Sequence, residues 1–215
     1  MEITLSNEEI RVMGCLIEKE MATPEYYPLS MNALVNACNQ KSNREPVVSW
    51  DEGLVYESVE MLKEKELVFQ SNLSRVPKYE ETFTKNNNLN PPEAAVLCVL
   101  MLRGPQTAGE IRGRSERLYA FGNLEAVNET LEDLISRNQV LRMQRQPGRK
   151  EVRYCHTLGS TDEDHQVESP EQQIQAAGNT ADVERIIVLE EKVNLLSAEL
   201  DILKKVVEDF RRQFE

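Results

Sequence analysis

Histidine is almost missing from this sequence, with two residues in 215, and the four cysteines (Cys15, Cys38, Cys98 and Cys155) lie far apart with no CxxC pair. These scarcities exclude a disulfide framework and leave too few soft ligands for a zinc cluster, so neither a metal nor a cofactor is expected. No segment approaches the roughly 18 apolar residues of a membrane span. The opening "MEITLSNEEIRVMGCLIEKE" has neither a basic head nor a continuous apolar run, so a cytoplasmic protein with no membrane partner is expected. A Gly-rich phosphate loop is missing as well. Cys155 and His156 are neighbours in a stretch of period-2 alternation, which sends them to opposite faces, and Cys15 and Cys98 fall in apolar helical stretches as small buried thiols. Convergent catalytic groups are therefore lacking, and the chain reads as a non-enzyme.

Positive charge is also in short supply: the net charge is -12, which excludes a uniformly basic nucleic-acid coat. The deficit is uneven. Residues 85–158 hold 11 Lys and Arg against 8 Asp and Glu, while the segments on either side are strongly acidic.

What is present is a repeat. "LSNEEIRVMGCLIEKEM" carries Ser6 as an N-cap with Glu9 at the capping-box position, and Ile10, Met13, Leu16 and Ile17 at helical spacing. "LNPPEAAVLCVLML" repeats the pattern 84 residues later, with Leu5, Val12, Met13, Leu16 and Ile17 falling on Leu89, Val96, Leu97, Leu100 and Met101. Each copy continues with a short helix: Ser30 caps "MNALVNAC", and Thr107 with Glu110 boxes "AGEIRGR". A longer helix follows, with Ser49 and Glu52 expected to cap the first and Asn123 the second; Leu54, Ser58, Met61 and Leu62 are matched to Val127, Leu131, Leu134 and Ile135. Met31, Met61, Met101 and Met143 are expected in the core. Each copy ends in a hairpin, the second with a Pro147–Gly148 turn and with Leu141, Met143, Val152 and Tyr154 alternating toward a core.

Three helices and a two-stranded wing, twice over, is the plan of tandem winged helix-turn-helix domains. The expected fold class is mainly α with small β hairpins (α+β). The domains are 1–84 and 85–158, followed by an acidic flexible linker over 159–182 and a C-terminal coiled-coil helix over 183–215. The stretches "TPEYYPLS", "ACNQKSNREPV", "LRGPQTAGEIRGRSERLYAF" and "PGRKEVRYCH" also resemble those of the YceH-like family of bacterial proteins, over Leu5 to His156. That resemblance implies tandem winged-helix domains and brings no catalytic residues with it.

The tail carries an unbroken 3,4 spacing through Ile186, Leu189, Val193, Leu196, Leu200, Leu203, Val207 and Phe210. β-Branched residues and leucine at a with leucine at d favour a parallel homodimer, the alternative being a lone amphipathic helix folded back on its own domain.

For function, the fold invites DNA, and double-stranded DNA is the leading expected partner. The third helices argue against conventional readout: Asp51, Glu52, Glu57 and Glu60 in one, and Glu125, Glu129, Glu132 and Asp133 in the other, would meet phosphates with like charge. The second domain offers another route, with Arg112, Arg114 and Arg117 in and after its second helix and Arg142, Arg145, Arg149, Lys150 and Arg153 on its wing. The plainer reading of those residues is solvated surface. The competing function is an adaptor whose acidic helices contact a protein partner. In each copy a long polar loop joins the second helix to the third. In the first, Asn39, Lys41, Asn43 and Arg44 are a candidate contact surface, the plainer reading being that Arg44, beside Glu45, pairs with neighbouring helices. Tyr26, Tyr27, Trp50, Tyr119 and Phe121 are expected to pack the helix connections onto the domains.

Overall fold

The computed structural model describes residues 4–144 and 151–159, which lie in one compact unit; the expectations for the linker and for the heptad residues from Ile186 to Phe210 fall outside the described residues. The chain runs α1 (Asn7–Ala22), a 3-10 turn (Pro24–Tyr26), β1 (Leu29–Ser30), α2 (Met31–Cys38), α3 (Glu52–Glu64), β2 (Val68–Ser71), β3 (Lys78–Glu81) and α4 (Phe83–Asn86). It then repeats with α5 (Pro91–Arg103), α6 (Ala108–Ser115), α7 (Leu124–Ser136), β4 (Val140–Arg142) and β5 (Tyr154–His156). The result is a mixed helical fold with two small antiparallel sheets, β1-β3-β2 and β4-β5.

The repeat extends to individual hydrogen bonds. Ser6 with Glu9 and Asn90 with Glu93 form the capping boxes of α1 and α5. In each copy the residue that ends the third helix returns to this box: Lys65 Nζ lies 2.7 Å from Glu9, and Arg137 Nη1 2.9 Å from Glu93. The next residues, Glu66 and Asn138, both have positive φ. Their carbonyls accept from the hydroxyls of Thr82 and Thr157, each at 2.7 Å. Inside the third helices Ser58 and Thr130 donate to the carbonyls of Leu54 and Ala126, each at 2.8 Å. Tyr79 and Tyr154 are buried at matching strand positions. Tyr79 pairs with Leu29, whereas Tyr154 meets Gln106 in an isolated bridge, so the third strand of the first sheet shrinks to one residue in the second.

Several expectations are corrected. The cap of α3 is Asp51, whose carboxylate accepts from Leu54 N at 2.9 Å, and not Ser49. Residues up to Trp50 are held out of the helix because Asn39 exchanges two 2.8 Å hydrogen bonds with the Trp50 backbone. The third helices align as Val55, Ser58, Val59 and Leu62 on Val127, Thr130, Leu131 and Leu134, one residue from the expected register, and this turns Met61 out to 46% exposure. In the second hairpin Val140 and Tyr154 face the core; Leu141 pairs with Cys155 on the other side. α1 is not amphipathic in place, for Glu9 through Glu18 are all buried, since α5 covers the face that α2 and α3 leave open.

α1 and α5 cross as equivalent partners. Gly14 and Cys98 occupy matching positions 84 residues apart and touch each other, with Cys98 Sγ 3.4 Å from Gly14 O. The ends close reciprocally: Leu5 N donates to Leu158 O at 2.7 Å, and the matching Leu89 N to Thr84 O at 2.9 Å. The two copies thus pair in a pseudo-two-fold manner.

Candidate functional site

The polar loop between α2 and α3 turns out to be a clamp. Arg44 is buried, and its guanidinium holds both carboxylate oxygens of Glu18 at 3.0 and 2.6 Å, the Ala37 carbonyl at 3.1 Å and the Asn43 carbonyl at 2.9 Å. This removes Arg44 from the expected contact surface. Burial pushes the Glu18 carboxyl up, but the hydrogen bonds and charge of Arg44, with Lys19 beside it, outweigh burial and hold it below the usual carboxylate range. Asn39 is likewise committed to Trp50. The loop fastens to the second copy through Glu45 N, which donates to Leu102 O at 2.9 Å, and through Asn43, whose side chain accepts from Arg103. Lys41 remains exposed. Beneath the loop Arg11 donates to Cys38 O at 3.2 Å and Pro46 O at 2.7 Å, and lies 5.8 Å from the Trp50 ring centre. Tyr119 and Phe121 stack edge to face in the matching loop, 4.9 Å apart, whereas Tyr26 stands 73% exposed and packs nothing down.

The cations of the second copy are dispersed and largely occupied. Arg112 donates to Gly122 O at 3.2 Å. Arg114 and Arg153 share Glu110, at 3.7 and 3.2 Å, and Arg153 also reaches Pro105 O. Arg142 pairs with Glu132 and lies 5.9 Å from the Tyr154 ring. Arg117 is exposed, and Arg145, Arg149 and Lys150 lie outside the described residues.

Two surfaces emerge. The first is a cleft of about 760 Å³ between the C-terminal ends of α1 and α6, the loop at 40–43 and α5. It brings Lys41 and Asn43 together with Arg114 and Arg117, and adds Lys19 and Arg103, which the sequence alone did not single out. Those two are 84 residues apart, so the repeat offset was the available signal. The second surface is the outer face of α3, where Tyr56 and Met61 are about half exposed beside Glu57, Glu60 and Glu64. The matching positions of α7 carry Glu129, Glu132 and Asp133, with Asn128 and Asp133 in place of Tyr56 and Met61; the exposed apolar residue of α7 is Leu124, in its first turn. Among the described residues no group of three or more His, Cys, Asp or Glu could hold a metal, and no helix is long and apolar enough to cross a membrane.

Fold and surfaces together define an internally duplicated helix-and-hairpin protein with charged faces. Residues 5–149 match the family described as "Protein of unknown function, DUF480", and the chain belongs to that family. It is 49% identical to a UPF0502 protein of Pelobacter propionicus and 48% identical to one of Geotalea daltonii, covering 100% of both chains in each case. It is also 49% identical to a UPF0502 protein of Solibacter usitatus, again over 100% of both. The bacterial family to which the sequence stretches pointed is thereby established.

Proposed function

We propose that this protein is a non-enzymatic adaptor of two tandem winged helix-turn-helix domains, 1–84 and 85–158, whose first domain receives a basic, partly apolar segment of a partner protein. The observation that carries the reading is the outer face of α3, where Tyr56 and Met61 stand exposed among Glu57, Glu60 and Glu64. In a winged-helix domain this face would meet DNA, and carboxylates there oppose the dominant electrostatic contribution to nucleic-acid binding. Paired with a cationic segment, the same carboxylates steer association, while Tyr56 and Met61 supply the apolar anchors. Two copies of the chain joined through the heptad residues 186–210 would present two such faces.

The test is a library of basic amphipathic peptides titrated against the full chain. Binding is expected to be lost in Tyr56→Ser with Met61→Ser, and in Glu57→Lys; peptides that bind those variants as well as the parent sink the reading. Sedimentation of the full chain against residues 1–182 tests dimerisation, with a monomer in both cases overturning it.

DNA binding through the second domain is the second reading, favoured by the exposure of Arg112 and Arg117. It requires duplex affinity tighter than about 10 μM at low salt, falling steeply between about 50 and 200 mM. Reversing Arg112, Arg117, Arg145, Arg149 and Lys150 to Glu should then abolish it.

A further inference from the structure

The cleft on the pseudo-two-fold seam concentrates positive charge in an acidic protein. Lys19, Lys41, Arg103, Arg114 and Arg117 line it, against the two carboxylates Glu18 and Glu116. Glu18 is already committed, at 2.6 Å to Arg44 and 3.2 Å to Lys19. The cations press on one another: desolvation, then repulsion from Arg114 and Arg44, lowers the pKa of the Arg103 guanidinium. An arrangement of this kind is relieved by an anion, and three guanidinium groups suit the paired oxygens of phosphate better than a single point charge.

The remaining wall is mixed, with Thr23, Gln40, Ser42 and Asn43 beside an apolar part. Val99 and Leu102 are buried in the core with their edges on the cleft, and Leu118 and Ala22 flank them. The volume is within the range of about 300–1,000 Å³ that encloses a small molecule rather than a lone ion. The cations come from both copies, with Lys19 and Arg103 at equivalent positions, so a ligand would bridge the seam. We infer that the cleft between α1, α5 and the end of α6 binds a nucleoside di- or triphosphate, its phosphates on Lys41, Arg103, Arg114 and Arg117 and its base against Val99, Leu102 and Leu118. This assignment is independent of the adaptor reading, which uses a different helix.

The full chain should be titrated calorimetrically with ADP, ATP, GDP, GTP, pyrophosphate, adenosine and a random DNA duplex, with thermal unfolding in parallel. Expected are nucleotide binding with a raised melting temperature, weaker binding of pyrophosphate and none of adenosine. Two variants test the location. Lys41→Glu with Arg117→Glu reverses two exposed charges and should weaken nucleotide binding about tenfold or more. Gly113→Met fills the cleft, because a Cβ at Gly113 meets nothing within 4 Å and methionine suits a helix better than glycine. It should keep the fold and lose the nucleotide. Absence of nucleotide binding at millimolar concentration, equal affinity for pyrophosphate, preference for the duplex, or binding that survives both variants would each overturn the assignment.

Discussion

A single arginine in a polar loop holds much of this protein together. Arg44→Ala would leave the buried Glu18 carboxylate with only Lys19, at 3.2 Å, and the cost should approach the value of about 3–5 kcal/mol typical of losing one member of a buried pair. Lys41→Ala, three residues away and exposed, should fall within about 0.5 kcal/mol of the parent. Chemical denaturation of the two variants separates them. The acid side follows from the depressed Glu18: its contribution is complete above the ordinary carboxylate pKa and is lost as pH falls through the lower folded value. Glu20 behaves in the opposite sense. Desolvation, then the charge and hydrogen bond of Glu81, push it up to about 7. The folded state therefore holds a proton that the unfolded chain has released, and this group's contribution declines as pH rises from about 4.5 to about 7. Glu20→Gln should stabilise the protein at pH 8, by about 1 kcal/mol or less after solvent screening, and should have little effect at pH 4, read from the melting temperature. The cap residues Ser6, Ser30, Thr107 and Asn123 were legible in the sequence because caps are local. That Arg44 pairs with a neighbouring helix was one of the two readings of its loop, and the structure bears it out; that the partner is Glu18 was not legible, for it lies 26 residues back.

At the scale of elements, the helices were legible wherever apolar spacing met a cap, and α2 and α6 are where the sequence places them. The errors came from tertiary cover. α1 reads as amphipathic because Ile10, Met13, Leu16 and Ile17 share a face, yet Arg11, Gly14 and Glu18 are buried too, with Gly14 against α5. Likewise β1 and α4 are too short to carry a periodic signal. The crossing of α1 and α5 depends on the missing side chain at Gly14, where a Cβ would come within 2.9 Å of Leu102 Cδ2 and 3.1 Å of Met101 Cβ. Gly14→Leu should destabilise by about 1–3 kcal/mol through overpacking, despite the gain in helix propensity. Gly113→Leu, in open space on α6, serves as the control, and thermal unfolding compares them.

For the whole molecule, the duplication was legible as an 84-residue offset, because both copies keep the same apolar and cap positions. Its geometry was not: no periodicity reveals that Gly14 meets Cys98, or that Leu5 closes on Leu158. The candidate site suffered the same gap. Arg114, Arg117 and Lys41 could be singled out one by one, but their meeting in one cleft depends on the seam. Because the start of each copy is received by the end of the other, residues 1–86 and 88–215 expressed as separate chains should reassemble. Co-purification and one shared melting transition are the expected readout, and two fragments that stay apart would overturn it. The crossing at Gly14 and Cys98 has a historical consequence as well. A surface that meets its own copy is what a symmetric pair of identical short chains would use, and fusing such a pair into one polypeptide releases each half from serving both positions at once. One half could then acquire Tyr56 and Met61 while the other accumulated arginine, a divergence closed to a homodimer, in which every substitution appears twice.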